Sequence, residues 1–271
     1  MGYTAIAGDH ATTTALAVAS TWPGDEEVVI VEADPSGGSI AAWLDLSPGP
    51  SLSTAVATFA AQSDDHASRD TMQWPTLTSM LQQLGVGARV LVAPMSGREA
   101  RRTVDEAARV VLPYLARRSG ADVLVECGLV RAGDPLPPAV RLADRVVLCH
   151  RQESASAGAA SVRLQRLVEL AEALATTGTL LVLAVIGSDP YDIGEIGEFV
   201  DERFAAAGAP VRPAVVPLAD DPLAAAVLAG RSGVSARRLA RLPLMRSAGE
   251  LADLLRWRPS QTTDGVSEAT R

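Results

Sequence analysis

The chain has 271 residues, 48% of them hydrophobic, and a formal net charge of -8. It can bury one sizeable core, and its acidic balance argues against a general nucleic-acid binder, which would carry a basic excess. All 24 Lys/Arg positions are arginine, so chemistry that needs a lysine, such as a phosphate clamp or a Schiff base, is excluded unless another chain supplies it.

Thr4 to Ala7 reads as a short strand, followed by the loop Gly8-Asp9-His10-Ala11-Thr12-Thr13-Thr14. Ala15 to Ser20 has the alanine and leucine content of a helix, which Pro23-Gly24 stops. Val28 to Val31 places four apolar residues between turn residues, the pattern of a strand buried on both faces of a helix-covered parallel sheet. Glu32 and Asp34 leave it at i and i+2, Pro35 and Gly37-Gly38 follow, and a short helix is expected from Gly37 to Leu46. Ligands of open α/β sheets bind beyond the carboxyl ends of strands, which makes this loop a candidate functional one. Ser51 to Leu84 reads as helical or irregular, with an exposed loop near Gln62 to Asp70.

A strand follows at Arg89 to Ala93, then a helix from Arg98 to Arg118 whose Val104, Ala107, Ala108, Val111, Leu112 and Leu115 form a stripe at i, i+3, i+4 spacing. Asp122 to Glu126, Arg145 to Cys149, Leu180 to Ile186 and Val211 to Val216 are further strands, with helices at Ser154 to Ala175 and Gly194 to Ala207. The remainder to Trp257 reads as largely helical with a break at Pro243. Seven strands alternating with helices predict a three-layer α/β fold, a mostly parallel sheet with helices on both faces. Residues 1–258 are expected to form one domain and 259–271 a disordered tail.

No apolar run reaches the roughly 18 residues of a membrane span, and the N-terminus enters a strand pattern without a basic segment or cleavage site, which predicts a cytoplasmic protein. Cys127 and Cys149 each close an apolar run and read as buried thiols. His10, His66 and His150 are too scattered for a metal site, so no resident metal is expected.

The strand, loop and TTT helix at the N-terminus, VEADPSGGSIAAWLDL one crossover later, DVLVECG in mid-chain and RVVLCHR after it together resemble the MinD/ParA family of deviant P-loop ATPases over most of residues 3 to 230. In that family the first loop reads K-G-G-x-G-K-T-[ST], the second strand ends in D-x-D-P, and a third ends in a Walker B acid. On that pattern Gly8 matches a glycine, Asp9 and Ala11 replace glycines, His10 fills the variable place and Thr12 stands where the lysine belongs. Ala7 replaces the signature lysine, Glu32 the first aspartate of D-x-D-P, and Glu126 the Walker B aspartate. Asp34 matches, Thr13 remains able to hold Mg²⁺ with Asp34, and Gly187-Ser188 stand where an adenine-reading asparagine is often found. A carboxylate at Asp9 beside a polyphosphate of like sign would repel it by roughly 4 kcal/mol at 4 Å and an effective dielectric of 20.

The resemblance therefore implies a degenerate member, similar to the TadZ/CpaE-like proteins: a pseudo-ATPase without cofactor that binds protein partners, dimerises, and positions or scaffolds a pilus, secretion or cell-division system. The alternative is a weak ATP binder or slow ATPase that uses Thr13 and Asp34 around Mg²⁺ and an arginine such as Arg98 or Arg151 in place of lysine. Ser235 to Trp257 interleaves leucines with arginines, superficially like a membrane-targeting helix. Pro243, Glu250 and Asp253 and the triplet Leu251, Leu254, Leu255 favour packing on the sheet's helical layer instead.

Overall fold

The computed structural model describes residues 2–61, 69–117, 121–152, 156–176, 179–209 and 211–256. In chain order the elements begin with strand β1 (Thr4–Gly8), helix α1 (Ala11–Ser20), β2 (Glu27–Glu32), α2 (Ile40–Trp43), α3 (Leu52–Ala61) and α4 (Arg69–Thr78). They continue with β3 (Gln82–Gln83), β4 (Arg89–Leu91), α5 (Gly97–Val110), α6 (Leu112–Arg117), β5 (Ala121–Glu126), α7 (Pro138–Arg141) and β6 (Arg145–Arg151). The last are α8 (Ala157–Ala175), β7 (Leu180–Ile186), α9 (Ile193–Ala206), β8 (Ala214–Leu218), α10 (Pro222–Leu228), α11 (Ala236–Leu239) and α12 (Pro243–Arg256).

One eight-stranded sheet runs in the order β3-β4-β2-β5-β1-β6-β7-β8. Every neighbouring pair is parallel except β3 with β4. Successive strand residues point to opposite faces, so Ala5, Val29, Val31, Val123 and Val125 enter one core layer with residues of α3, α5, α8 and α9. Ile6, Val28, Ile30, Leu124 and Val147 enter the other, with α1, α10 and α12. The three-layer, mostly parallel arrangement expected from the alternating pattern is thus present.

The expected elements differ in detail. The additional strand β3 lies in the stretch read as helical or irregular; Gln82 and Gln83 form an edge only because a tight turn, Leu84 N–H to Ala88 at 2.8 Å, folds them back on β4. The last strand starts after Pro213 and ends at Leu218, later than the expected Val211 to Val216; Pro217 is tolerated because β8 is an edge strand. The helix expected from Arg98 to Arg118 is two, α5 and α6, and Pro113 sits at their junction, where it cannot donate to the preceding turn. Of the exposed loop expected at 62–70, residues 62–68 lie outside the described residues and Arg69 already begins α4; the expected tail 259–271 also lies outside them.

The break expected at Pro243 is present: α11 ends before it and Pro243 opens α12, where its missing N–H is harmless in a first turn. Leu244, Met245, Leu251 and Leu255 are buried in the core layer beneath α1, and Arg256 reaches the carbonyl of Pro23 and Glu26, the latter at 2.9 Å. Core packing therefore accounts for the apolar stripe. Among the described residues no helix is long and apolar enough to cross a membrane. With that stripe already buried, the chain is expected to stay in the supernatant when centrifuged with anionic phospholipid vesicles; pelleting would show that α12 unpacks to bind them.

Candidate functional site

β1 lies between β5 and β6, and its carboxyl end feeds the first loop. That loop is shorter than the sequence suggested. Ala11 to Thr14 already belong to α1, and only Gly8, Asp9 and His10 make the turn. Gly8 has φ +107°, and a Cβ there would strike the Cys149 carbonyl oxygen, so both backbone conformation and close approach demand glycine. His10 adopts the left-handed conformation (φ 57°) and is exposed.

Asp9, in the middle of that turn, is held by partners from β6 and α8. Its Oδ2 accepts from the Arg151 backbone N–H at 3.0 Å and from the Arg163 guanidinium at 3.1 Å, and lies 3.6 Å from His150 Nδ1. Burial alone would raise its pKa, but the His150 and Arg151 bonds and the Arg163 charge outweigh it and hold the carboxyl below its ordinary value. Asp9 thus staples the loop to the end of β6 and to α8. The Arg163 guanidinium beside it offsets part of the carboxylate's negative charge.

The second strand's acids are also brought into structural use. Glu32 is fully buried and accepts from Ser39 N–H at 2.6 Å, Ile40 N–H at 2.8 Å and Ala93 N–H at 2.9 Å. It therefore fixes the first turn of α2 and ties β2 to the end of β4. Burial raises its pKa despite those bonds. Gly37 and Gly38 let this corner close. A Cβ on Gly38 would lie 2.6 Å from both the Ala93 carbonyl and Glu32 Oε2. Asp34, at the edge of the same corner, accepts from Ser36 N–H at 2.7 Å and closes a turn.

Glu126, at the end of β5 in register with Glu32, is completely buried. Its Oε1 accepts from Thr12 Oγ1 at 3.2 Å and Gly128 N–H at 3.0 Å, whereas Oε2 is buried with no hydrogen-bond partner among the described residues. Burial, with the like charges of Asp34 and Glu32, pushes its pKa up to about 8. At neutral pH Glu126 is therefore mostly a neutral acid. Cys127 and Cys149 are buried, and their burial raises the Cys149 thiol to about 12 and Cys127 well above its usual range, so neither is a nucleophile.

At the start of α1 a cavity of about 370 Å³ is lined by His10, Thr13, Thr14, Arg151, Asp220 and Arg231, among others. Arg151 is paired across it with Asp220 at 2.9 Å. Arg98 lines a separate cavity between α3 and α5 with Ser53, Arg102 and Glu106. No cluster of three or more potential metal-ligating side chains occurs among the described residues.

No protein-family model matches the chain, and no curated protein matches it at a significant level. Solved structures do match. The septum site-determining protein MinD of Pyrococcus horikoshii OT3, complexed with Mg-ADP, superposes with a TM-score of 0.63 at 14% identity, over 94% of this chain and 96% of that one. A ParA family ATPase from Chlorobium tepidum TLS gives 0.62 at 13% identity over 94% and 97%, and the Cyanothece McdA-ATP complex 0.59 at 12% over 96% and 98%. The fold is that of the MinD/ParA ATPases.

On the MinD/ParA frame the residues singled out in sequence, Gly8 to Thr14, Glu32, Asp34, Gly37, Gly38 and Glu126, collect at the carboxyl ends of adjacent strands β2, β5 and β1. Thr12 and Glu126 touch directly, and Gly128 packs against Asp34. Sequence reasoning missed Arg163 and His150 as partners of Asp9, and Asp220 as the partner of Arg151. The charged end of RVVLCHR, where a buried strand stops on His150 and Arg151, was the available signal.

Proposed function

We propose that this chain is a pseudo-ATPase of the MinD/ParA type that works by binding protein partners, as a positioning or scaffold factor in the TadZ/CpaE manner, for a pilus, secretion or cell-division system in the cytoplasm. The observation that carries this reading is the floor of the first loop. Thr12 occupies the lysine position and donates to Glu126, and Glu126, Glu32 and Asp34 bring three carboxyl groups together with no lysine anywhere in the chain. A triphosphate would meet acidic groups where the P-loop mechanism needs a cation. On this reading residues 1–258 act as one domain, the loop residues Gly8 to Thr14 and the acids are relics of a nucleotide site, and dimerisation is independent of nucleotide.

The second reading, a weak ATP binder, is favoured by the cavity beside Thr13, with Arg151 at its rim as the substitute cation and Thr13 and Asp34 as Mg²⁺ ligands. The Arg151–Asp220 pair counts against it, since that guanidinium is already engaged. Isothermal titration with ATP and Mg²⁺ separates the two. No heat of binding is expected at micromolar nucleotide, and micromolar affinity would overturn the pseudo-ATPase reading.

A further inference from the structure

A second cavity, of about 380 Å³, lies on the far side of Asp9, between the loop that follows β5 and helix α8. That volume falls in the range of small-molecule sites. Its floor is apolar: Leu148, Leu167 and Leu170 are buried there, while Leu129 stands 46% exposed at the mouth. The lining carries three arginines, Arg131, Arg163 and Arg166, and His150 against a single carboxylate, Asp9. Arg163 is committed to Asp9 at 3.1 Å. Arg131 and Arg166 are exposed, and their guanidiniums make no hydrogen bond or ion pair with the described residues.

This local balance runs against a chain whose formal net charge is -8. An apolar slot rimmed by uncommitted guanidiniums excludes cations by their charge and gives neutral apolar molecules no reason to prefer it over any other greasy surface. It suits an anion with an apolar body. Guanidinium pairs carboxylates through parallel N–H bonds, and such charge-assisted bonds are among the strongest available at a half-exposed site. The arrangement does not rest on the pseudo-ATPase reading, because the groups it uses, Leu129, Leu167, Leu170, Arg131 and Arg166, lie outside the first loop and its acids.

We infer that the cavity between the β5–α7 loop and α8 binds a small aliphatic carboxylate, its acyl chain on Leu129, Leu167 and Leu170 and its carboxylate between Arg131 and Arg166. Octanoate, its neutral counterpart 1-octanol and inorganic phosphate are the probes, titrated against the full chain by calorimetry and by ¹H–¹³C methyl shifts of the leucines. Octanoate is expected to bind and to move leucine methyl resonances. The double variant Arg131→Gln, Arg166→Gln should bind it at least roughly tenfold more weakly, the loss of one charge-assisted bond. The single variant Arg101→Gln, on the exposed surface of α5, should bind as the wild type does. Both changes are at exposed positions, and an unaltered thermal melt establishes that the variants are folded. Equal affinity for octanoate and 1-octanol, phosphate binding as tight as octanoate, undiminished octanoate binding by the double variant, or no octanoate binding at all would each overturn the assignment.

Discussion

Replacing Glu32 with alanine is expected to cost roughly 3 to 6 kcal/mol of stability: three backbone N–H groups lose their acceptor at once, at about 1 to 3 kcal/mol each, and relief from burying the carboxyl offsets part of that sum. Ser39 and Ile40 N–H are the first-turn donors of α2, and Ala93 N–H closes β4, so one carboxyl group holds two loops together. Gly37 and Gly38 pack on the backbone of Met95 and Ala93 in the same corner. Glu32→Gln keeps one acceptor oxygen but turns an NH₂ toward a donor, and should fall between alanine and the wild type. At about 2 to 4 °C per kcal/mol for a chain of this size, the alanine variant should melt some 10 °C lower. An alanine variant within about 1 kcal/mol of the wild type in urea denaturation would show that Glu32 is not the clamp described.

Glu126→Gln is expected to act in the opposite direction. The folded protein keeps a proton on Glu126 until about pH 8, whereas the ordinary value is 4.5. Between those limits the native state binds the proton that the unfolded chain has released, so raising the pH lowers stability by about 1.4 kcal/mol per unit from this group. Below pH 4.5 both states are protonated and the contribution is complete; above pH 8 there is nothing further to lose. Glutamine cannot ionise, and its carbonyl can still accept from Thr12 and Gly128 N–H. The variant should therefore be more stable than the wild type by roughly 4 kcal/mol at pH 8 and nearly equal to it at pH 5. Parallel melting curves at pH 5, 6, 7, 8 and 9 measure this directly. If the gap between variant and wild type does not widen with pH, Glu126 is ionised in the folded state. Asp9 has the opposite linkage, since its carboxyl is held below its usual value and its contribution is lost only as the pH falls through that lowered pKa. Its effect lies on the acid side, outside this pH series.

Much of the fold was legible because it depends on local patterns. Val28 to Val31 is continuously apolar because a parallel strand is covered on both faces, and the stripe from Val104 to Leu115 has the spacing of helices that lie against a sheet. Order along the chain then placed Gly8, Glu32, Asp34 and Glu126 at neighbouring strand ends, since parallel strands joined by right-handed crossovers end on the same side. The two-residue strand β3 was not legible, as Gln82 and Gln83 have no periodicity of their own and pair only because β4 offers an edge.

The chemistry of the site was decided by tertiary structure. That no lysine serves the first loop is a fact of composition, and the chain alone settles it. Where Asp9 points is not, because its partners are Arg151, 142 residues away, and Arg163, 154 residues away. The same holds for Thr12 and Glu126, 114 residues apart. A carboxylate's sign can be read from its letter, but its ionisation and its orientation depend on burial and on donors from distant strands. Those neighbours turn Glu32 into a clamp, Glu126 into a neutral acid and Asp9 into a staple.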